Sequence, residues 1–144
     1  MNPTNCSGIK KWRNSLGQLH RLDGPAVEYS TGSREWYQNG LRHRIGGPAV
    51  ESADGGKFWW QNGMRHRING PAVMEANGYR AWYQSGMLHR TDGPAQIWPG
   101  LFMAWHVNGV ELRRVDFPTS RHGPSGDRTH DLSLRRRSLC PTEL

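Results

Sequence analysis

Apolar residues in this chain fall in clusters of two or three, and glycine or a polar pair interrupts them before a helical stripe can form. Ala26-Val27, Ala49-Val50 and Ala72-Val73 each follow a Gly-Pro step. Trp36-Tyr37, Trp59-Trp60 and Trp82-Tyr83 each precede Gln and a turn with glycine. Between residues 17 and 112 the longest run free of Gly and Pro is eight residues, Leu101 to Asn108. That is too short for a stable helix, and the aromatic and β-branched clusters bounded by turn residues predict short strands.

The clusters recur in a fixed register. Trp36, Trp59, Trp82 and Trp105 stand 23 residues apart, as do Gly17, Gly40, Gly63, Gly86 and Gly109. His20, His43, His66 and His89 keep the step, each followed by Arg21, Arg44, Arg67 or Arg90. Gly24-Pro25-Ala26 returns at residues 47, 70 and 93, and a second glycine at Gly32, Gly55 and Gly78. The chain divides into units 13–35, 36–58, 59–81 and 82–104 and a partial unit 105–116, after a lead-in 1–12. The ends are atypical, as capping units are. Arg13 stands at the Trp position of the first unit, with Trp12 one residue early, and Leu112 replaces the last His.

Each unit reads as two strands, one after Gly-Pro and one carrying the aromatics. The intervening Thr31-Gly32, Asp54-Gly55 and Asn77-Gly78, and the following Asn39-Gly40, Asn62-Gly63, Ser85-Gly86 and Asn108-Gly109, predict tight hairpin turns with positive φ at both central residues. Asp23, Gly46, Asn69 and Asp92, just before Gly-Pro-Ala, read as left-handed or Asx-type turn residues and not as working acids. The expected fold is all-β: tandem 23-residue hairpins in an elongated, twisted antiparallel sheet of about eight strands over residues 20–112, coiling on itself. Bulk at Ala49 or Ala72 is expected to cost more stability than at Ala26, which has one neighbouring unit fewer.

The string Trp36-Tyr37-Gln38-Asn39-Gly40-Leu41-Arg42-His43, with glycines following, resembles the membrane occupation and recognition nexus (MORN) repeat over roughly residues 12–112. That family places an aromatic strand before Asn-Gly-x-x-His-Gly-x-Gly. This chain departs consistently, with His-Arg-x-x-Gly-Pro-Ala in place of His-Gly-x-Gly. The resemblance implies an elongated β-hairpin stack and a role in protein scaffolding, dimerisation or membrane association.

Charge narrows partners only loosely. The 144 residues carry a formal net charge of +7. Residues 1–112 hold 12 Lys/Arg against 8 Asp/Glu, and residues 113–144 hold 7 against 4. A basic balance suits acidic protein, anionic lipid or nucleic acid. Residues 117–144 have no register and read as a basic, disordered tail. Cys6 and Cys140 lack metal-ligand spacing and read as unpaired thiols of a reducing compartment. With no apolar leader and no membrane-length apolar stretch, the expected location is intracellular, cytoplasmic or membrane-peripheral.

Four sets of side chains are candidates for chemistry. Equivalent histidines fall two strands apart, nearly 10 Å, so His20, His43, His66 and His89 cannot share one metal ion. They read as structural groups bracing the turn through backbone or a neighbouring unit, as Trp36, Trp59, Trp82 and Trp105 read as structural positions. Arg21, Arg44, Arg67 and Arg90 either contact a partner's phosphates or carboxylates, or stack on rings and pair with Glu28 and Glu51; Glu75 lies one residue out of that register. Arg34, Lys57 and Arg80 form a further basic line on a presumed open face. Trp and the residue after it alternate across the sheet, so one aromatic row should be buried. The other, Tyr37, Trp60 and Tyr83, is then either a platform for a partner or is covered by sheet coiling and Arg stems. No nucleophile motif, phosphate-cradling Gly motif or recurring carboxylate pair is present, and no cofactor is expected. The sequence points to a non-enzymatic module with a protein partner first, an anionic membrane surface second and nucleic acid last, self-association remaining open.

Overall fold

A computed structural model of the protein describes residues 3–118; the disordered-tail reading for 119–144, and Cys140, lie outside the described residues. The described chain is all-β, with no helix. Two short strands lead in, β1 (Thr4–Cys6) and β2 (Ile9–Lys11). The first unit gives β3 (Val27–Tyr29) and β4 (Arg34–Glu35), and past Trp36 come β5 (Tyr37–Gln38) and β6 (Leu41–Arg42). The pattern repeats as β7 (Val50–Glu51), β8 (Lys57–Phe58), β9 (Trp60–Gln61) and β10 (Met64–Arg65). It repeats again as β11 (Val73–Met74), β12 (Arg80–Ala81), β13 (Tyr83–Gln84) and β14 (Met87–Leu88). The chain closes with β15 (Gln96–Trp98), β16 (Phe102–Val107) and β17 (Val110–Asp116).

Eleven strands form one antiparallel sheet in the order β1-β2-β3-β4-β7-β8-β11-β12-β15-β16-β17. The hairpins β5-β6, β9-β10 and β13-β14 form a second row outside it. This corrects the expectation of two strands per unit: the aromatic strands break at Trp36, Trp59 and Trp82, where the chain leaves the large sheet for the hairpin row. The switch is held by backbone bonds. Trp36 N–H donates to Ala49 O (2.8 Å), and His43 N–H donates to Trp36 O (3.1 Å). Hairpins meet through bonds such as Gly63 N–H to Arg42 O (3.0 Å) and Arg44 N–H to Trp60 O (3.1 Å).

The turns divide into two chemistries. Asn39, Asn62, Ser85 and Asn108 have φ of 48–50°, each followed by a positive-φ glycine, which is the two-residue turn read from the sequence. At Thr31-Gly32, Asp54-Gly55 and Asn77-Gly78 only the glycine is left-handed. Those loops have three residues, with Gly32 N–H to Tyr29 O and Tyr29 N–H to Ser33 O, both 3.0 Å. Before Gly-Pro-Ala, only Gly46 is left-handed (φ 81°); Asp23 and Asp92 have other work, described below.

The core is thin. Ala26, Ala49, Ala72, Ala81, Ala95 and Ala104 are 0% exposed, and Val27 and Val73 are the only larger side chains fully buried among the described residues. The pleat row Val27-Glu35-Val50-Phe58-Val73-Ala81 faces this interior. The opposite row runs Lys10-Glu28-Arg34-Glu51-Lys57-Met74-Arg80. With so little aliphatic volume, backbone ladders and arginine–aromatic contacts carry much of the stability.

The ends depart from the repeat as caps do. Trp12, not Arg13, does the work of Trp36: its N–H donates to Ala26 O and its carbonyl accepts from His20 N–H. The extra residue is absorbed in the loop after Arg13, which pairs with Leu19. At the other end β16 runs unbroken through Trp105 with only a register shift beside His106, and β17 pairs along its whole length. Because β1 and β2 cover the first unit, Ala26 is as buried as Ala49 and Ala72. The expected difference between them loses its basis.

Candidate functional site: a row of pockets between units

The conserved register builds one device. Each repeat arginine turns back over a tryptophan: Cζ of Arg21, Arg44, Arg67 and Arg90 lies 4.2, 3.9, 3.9 and 4.1 Å from the ring centres of Trp12, Trp36, Trp59 and Trp82. Its Nη1 donates to the carbonyl of Pro25, Pro48, Pro71 or Pro94 at 2.9–3.2 Å. On the other side the guanidinium lies against Gly24, Gly47, Gly70 or Gly93, where an added Cβ would stand 2.9–3.0 Å from Cζ. Arg, Gly and Pro therefore recur together because glycine leaves room for the guanidinium and proline supplies its acceptor, and the alanine that follows is fully buried in each unit. Arg113 continues the series, 5.0 Å from Trp105, a member the sequence reading missed because Leu112 breaks the His-Arg pair.

The histidines brace the array. Backbone N–H groups of Asn39, Asn62, Ser85 and Asn108 donate to Nδ1 of His20, His43, His66 and His89, at 3.0, 3.1, 3.0 and 3.2 Å. Each ring thus ties its own unit to the next unit's turn. The bond at Ser85 shows that the backbone contact is the shared feature, whatever side chain stands there. At His43 and His89 the side-chain Oδ1 of Asn62 and Asn108 also lies 2.9 Å from Nδ1.

Carboxylates complete some of these clamps and not others. Arg21 Nε donates to Asp23 (3.0 Å), and Arg90 Nε to Asp92 (2.8 Å). These bonds and the adjacent charges hold both carboxyls below the usual Asp range. Asp23 and Asp92 thus do have a job, contrary to the sequence reading. Arg44 Nη1 pairs with Glu51 at 3.0 Å and Arg21 Nη1 with Glu28 at 3.8 Å. At Arg67 the two acid positions hold Asn69 and Met74, and Nη1 finds Met74 Sδ at 3.8 Å. Arg67 has no carboxylate within 4 Å among the described residues, and burial lowers its pKa from the usual arginine value.

Tyr37, Trp60 and Tyr83 lie on the other face of the hairpins, interleaved with arginines. Arg42 lies 5.7 Å from Tyr37 and 5.5 Å from Trp60; Arg65 lies 5.3 Å from Trp60 and 5.4 Å from Tyr83. Neither aromatic row is fully buried, which corrects the expectation of one buried row; arginine stems cover both. In the first unit Glu35, its side chain 13% exposed, accepts from Tyr29, Tyr37 and Arg42. Burial, then the Glu35 carboxylate, pushes Tyr37 up to about 12. Glu35, Arg42 and Arg65 escaped the sequence reading because they recur once or not at all.

The basic line Arg34, Lys57 and Arg80 lies on the outer face of the large sheet. Arg34 and Lys57 are exposed and flank Glu51 across the strands, whereas Arg80 is half-buried and donates to Glu75 O and Tyr79 O.

Between successive clamps the surface opens into equivalent pockets. Cavities of about 590, 340 and 490 Å³ lie in chain order between units. Each is walled by one unit's Arg loop and by the next unit's Trp, Gln and His: Trp36-Gln38-His43, Trp59-Gln61-His66 and Trp82-Gln84-His89. Leu22, Ile45 and Ile68, the residues after the first three His-Arg pairs, rim them and are 76%, 78% and 72% exposed, with Thr91 at the fourth such position. Leu41, Met64 and Met87 pair with those glutamines, so they share this face, and they too are exposed. The sequence held this signal as an apolar residue recurring inside polar loops. Comparison with protein-family models, curated proteins and solved structures finds no match.

Proposed function

We propose that the chain is a non-enzymatic, MORN-like repeat module whose pocket face binds or scaffolds a protein partner. The observation that carries this reading is the line of exposed Leu22, Ile45 and Ile68 along three equivalent pockets. Monomeric proteins seldom expose large apolar side chains in a repeated line, and such surfaces are commonly partner sites. A protein partner is favoured over an anionic membrane because three of the four repeat arginines, Arg21, Arg44 and Arg90, already hold carboxylates of the chain. Arg34 and Lys57 share their face with Glu28 and Glu51, so little net positive potential remains there.

The test is protein capture on the tagged full chain, with co-sedimentation on vesicles with and without anionic lipid. Capture that is lost in a Leu22→Asp/Ile45→Asp/Ile68→Asp variant of unchanged melting temperature is the expected result. Vesicle binding that scales with anionic lipid and survives those substitutions would replace this reading with the membrane one.

A further inference from the structure

The pocket row has a pitch. Each unit adds two strands to the large sheet, and strands lie about 4.7–4.9 Å apart, so neighbouring pockets repeat every ~9.4–9.8 Å. A ligand lying along the row must bring a side chain to the same side at that interval. A β-strand presents alternate residues at about 6.8 Å and falls out of step after one pocket. A polyproline II helix turns once per three residues and rises about 9.3 Å per turn, so each turn meets one pocket. The walls suit such a ligand. Polyproline II has no internal hydrogen bonds, and its carbonyls need donors. The amides of Gln38, Gln61 and Gln84, which line the pockets, make no hydrogen bond among the described residues and are free to donate. Aromatic walls are the usual complement to proline rings.

Charge fixes the register. Arg67 lines two adjacent pockets and alone among the four clamp arginines lacks a carboxylate. Its Nε and Nη2 make no hydrogen bond among the described residues. We propose that the pocket row binds a polyproline II segment of a partner protein, with an acidic side chain of that segment on Arg67. The inference rests on the pocket face being the binding surface, and it names the partner's conformation and charge. Burial that disfavours the charged form of Arg67 makes a visiting carboxylate more valuable there than at Arg44, which already has Glu51.

The probes are peptides of four Pro-Pro-Glu, Pro-Pro-Lys or Gly-Gly-Glu triplets, titrated into the full chain by calorimetry. The expected result is that Pro-Pro-Glu binds at least about tenfold more tightly than either other peptide. An Asn69→Asp/Met74→Glu variant gives Arg67 the partners that Asp23 and Glu28 give Arg21, using residues the repeat already tolerates. It should narrow the Pro-Pro-Glu preference over Pro-Pro-Lys to about twofold while keeping the preference for proline over glycine. Gly-Gly-Glu binding as well as Pro-Pro-Glu would overturn the conformation. An unchanged charge preference in the variant would overturn the Arg67 contact. Silent peptides with protein capture still lost in the Leu22/Ile45/Ile68 variant would overturn this inference alone, and capture indifferent to that variant would overturn the binding face as well.

Discussion

The outer face of the hairpin row and the outer face of the eleven-stranded sheet come from the same units, yet they are built on opposite terms. The hairpin face repeats Trp, Gln, His and Arg without change across the three central units and leaves pockets between them. The sheet face alternates Lys10, Glu28, Arg34, Glu51 and Lys57, neutralising itself strand by strand until Met74 interrupts it. The first surface combines shape, exposed apolar groups and unused donors. The second is a solvated charge ladder in which Glu28 pairs with Lys10 and Arg21 and Glu51 with Arg44, while Arg34 and Lys57 make no ion pair among the described residues. The lesson is that recurrence marks two different things in one motif, a clamp that holds units together and a rim that the clamp leaves open.

The largest effect should come from breaking the clamp. Ala49→Leu forces three extra carbons into a site with no exposure and should cost about 3 kcal/mol in denaturant unfolding. Ala26→Leu should cost the same, because β1 and β2 cover the first unit as a neighbour would. A much smaller loss at Ala26 would show that the lead-in strands do not cap the array.

Next comes the unit-specific cluster behind the hairpins. Glu35→Ala leaves the half-buried Arg42 without its carboxylate and should cost about 1–3 kcal/mol. The same cluster gives a pH signature. Tyr37 titrates near 10 when unfolded and at about 12 when folded, so its contribution is intact below pH 10 and is lost as pH rises toward 12. Burial also raises Tyr29 and Tyr79, so phenolate absorbance should show several late-titrating tyrosines and lose the component near 12 in Tyr37→Phe.

A smaller loss, about 1 kcal/mol, is expected from His66→Ala, since the bond it gives up with Ser85 N–H is exposed. Binding by the folded protein should persist; a stable variant that no longer binds would make the histidine itself a contact residue. The smallest effect is a gain. Met74→Glu restores alternation between Lys57 and Arg80 and should stabilise by about 0.5 kcal/mol in thermal unfolding.

Much of this architecture was legible in the sequence because a repeat is its own alignment. The 23-residue step gave the hairpins, the Asn-Gly turns and the histidine brace, and it offered arginine stacking on tryptophan as one of two readings. Two features were hidden by pattern reading alone. The strand break at Trp36, Trp59 and Trp82 was invisible, because a residue that changes partners between sheets has the same composition as one, like Trp105, that does not. The rim residues Leu22, Ile45 and Ile68 were passed over because a single apolar residue in a loop carries no period of its own until the loop's neighbours are placed. Arg42 and Glu35 illustrate the remaining limit, since contacts confined to one or two units leave no recurrence to detect.

The central claim is that the pocket face, and not the charge ladder, meets the partner. The direct measurement compares two full-chain variants of matched melting temperature, Ile45→Asp/Ile68→Asp and Arg34→Glu/Lys57→Glu, for capture of the same protein partner. Binding should be at least about tenfold weaker for the first and change less than about twofold for the second. Retained binding in the first with loss in the second would contradict that claim and move the interface to the eleven-stranded sheet.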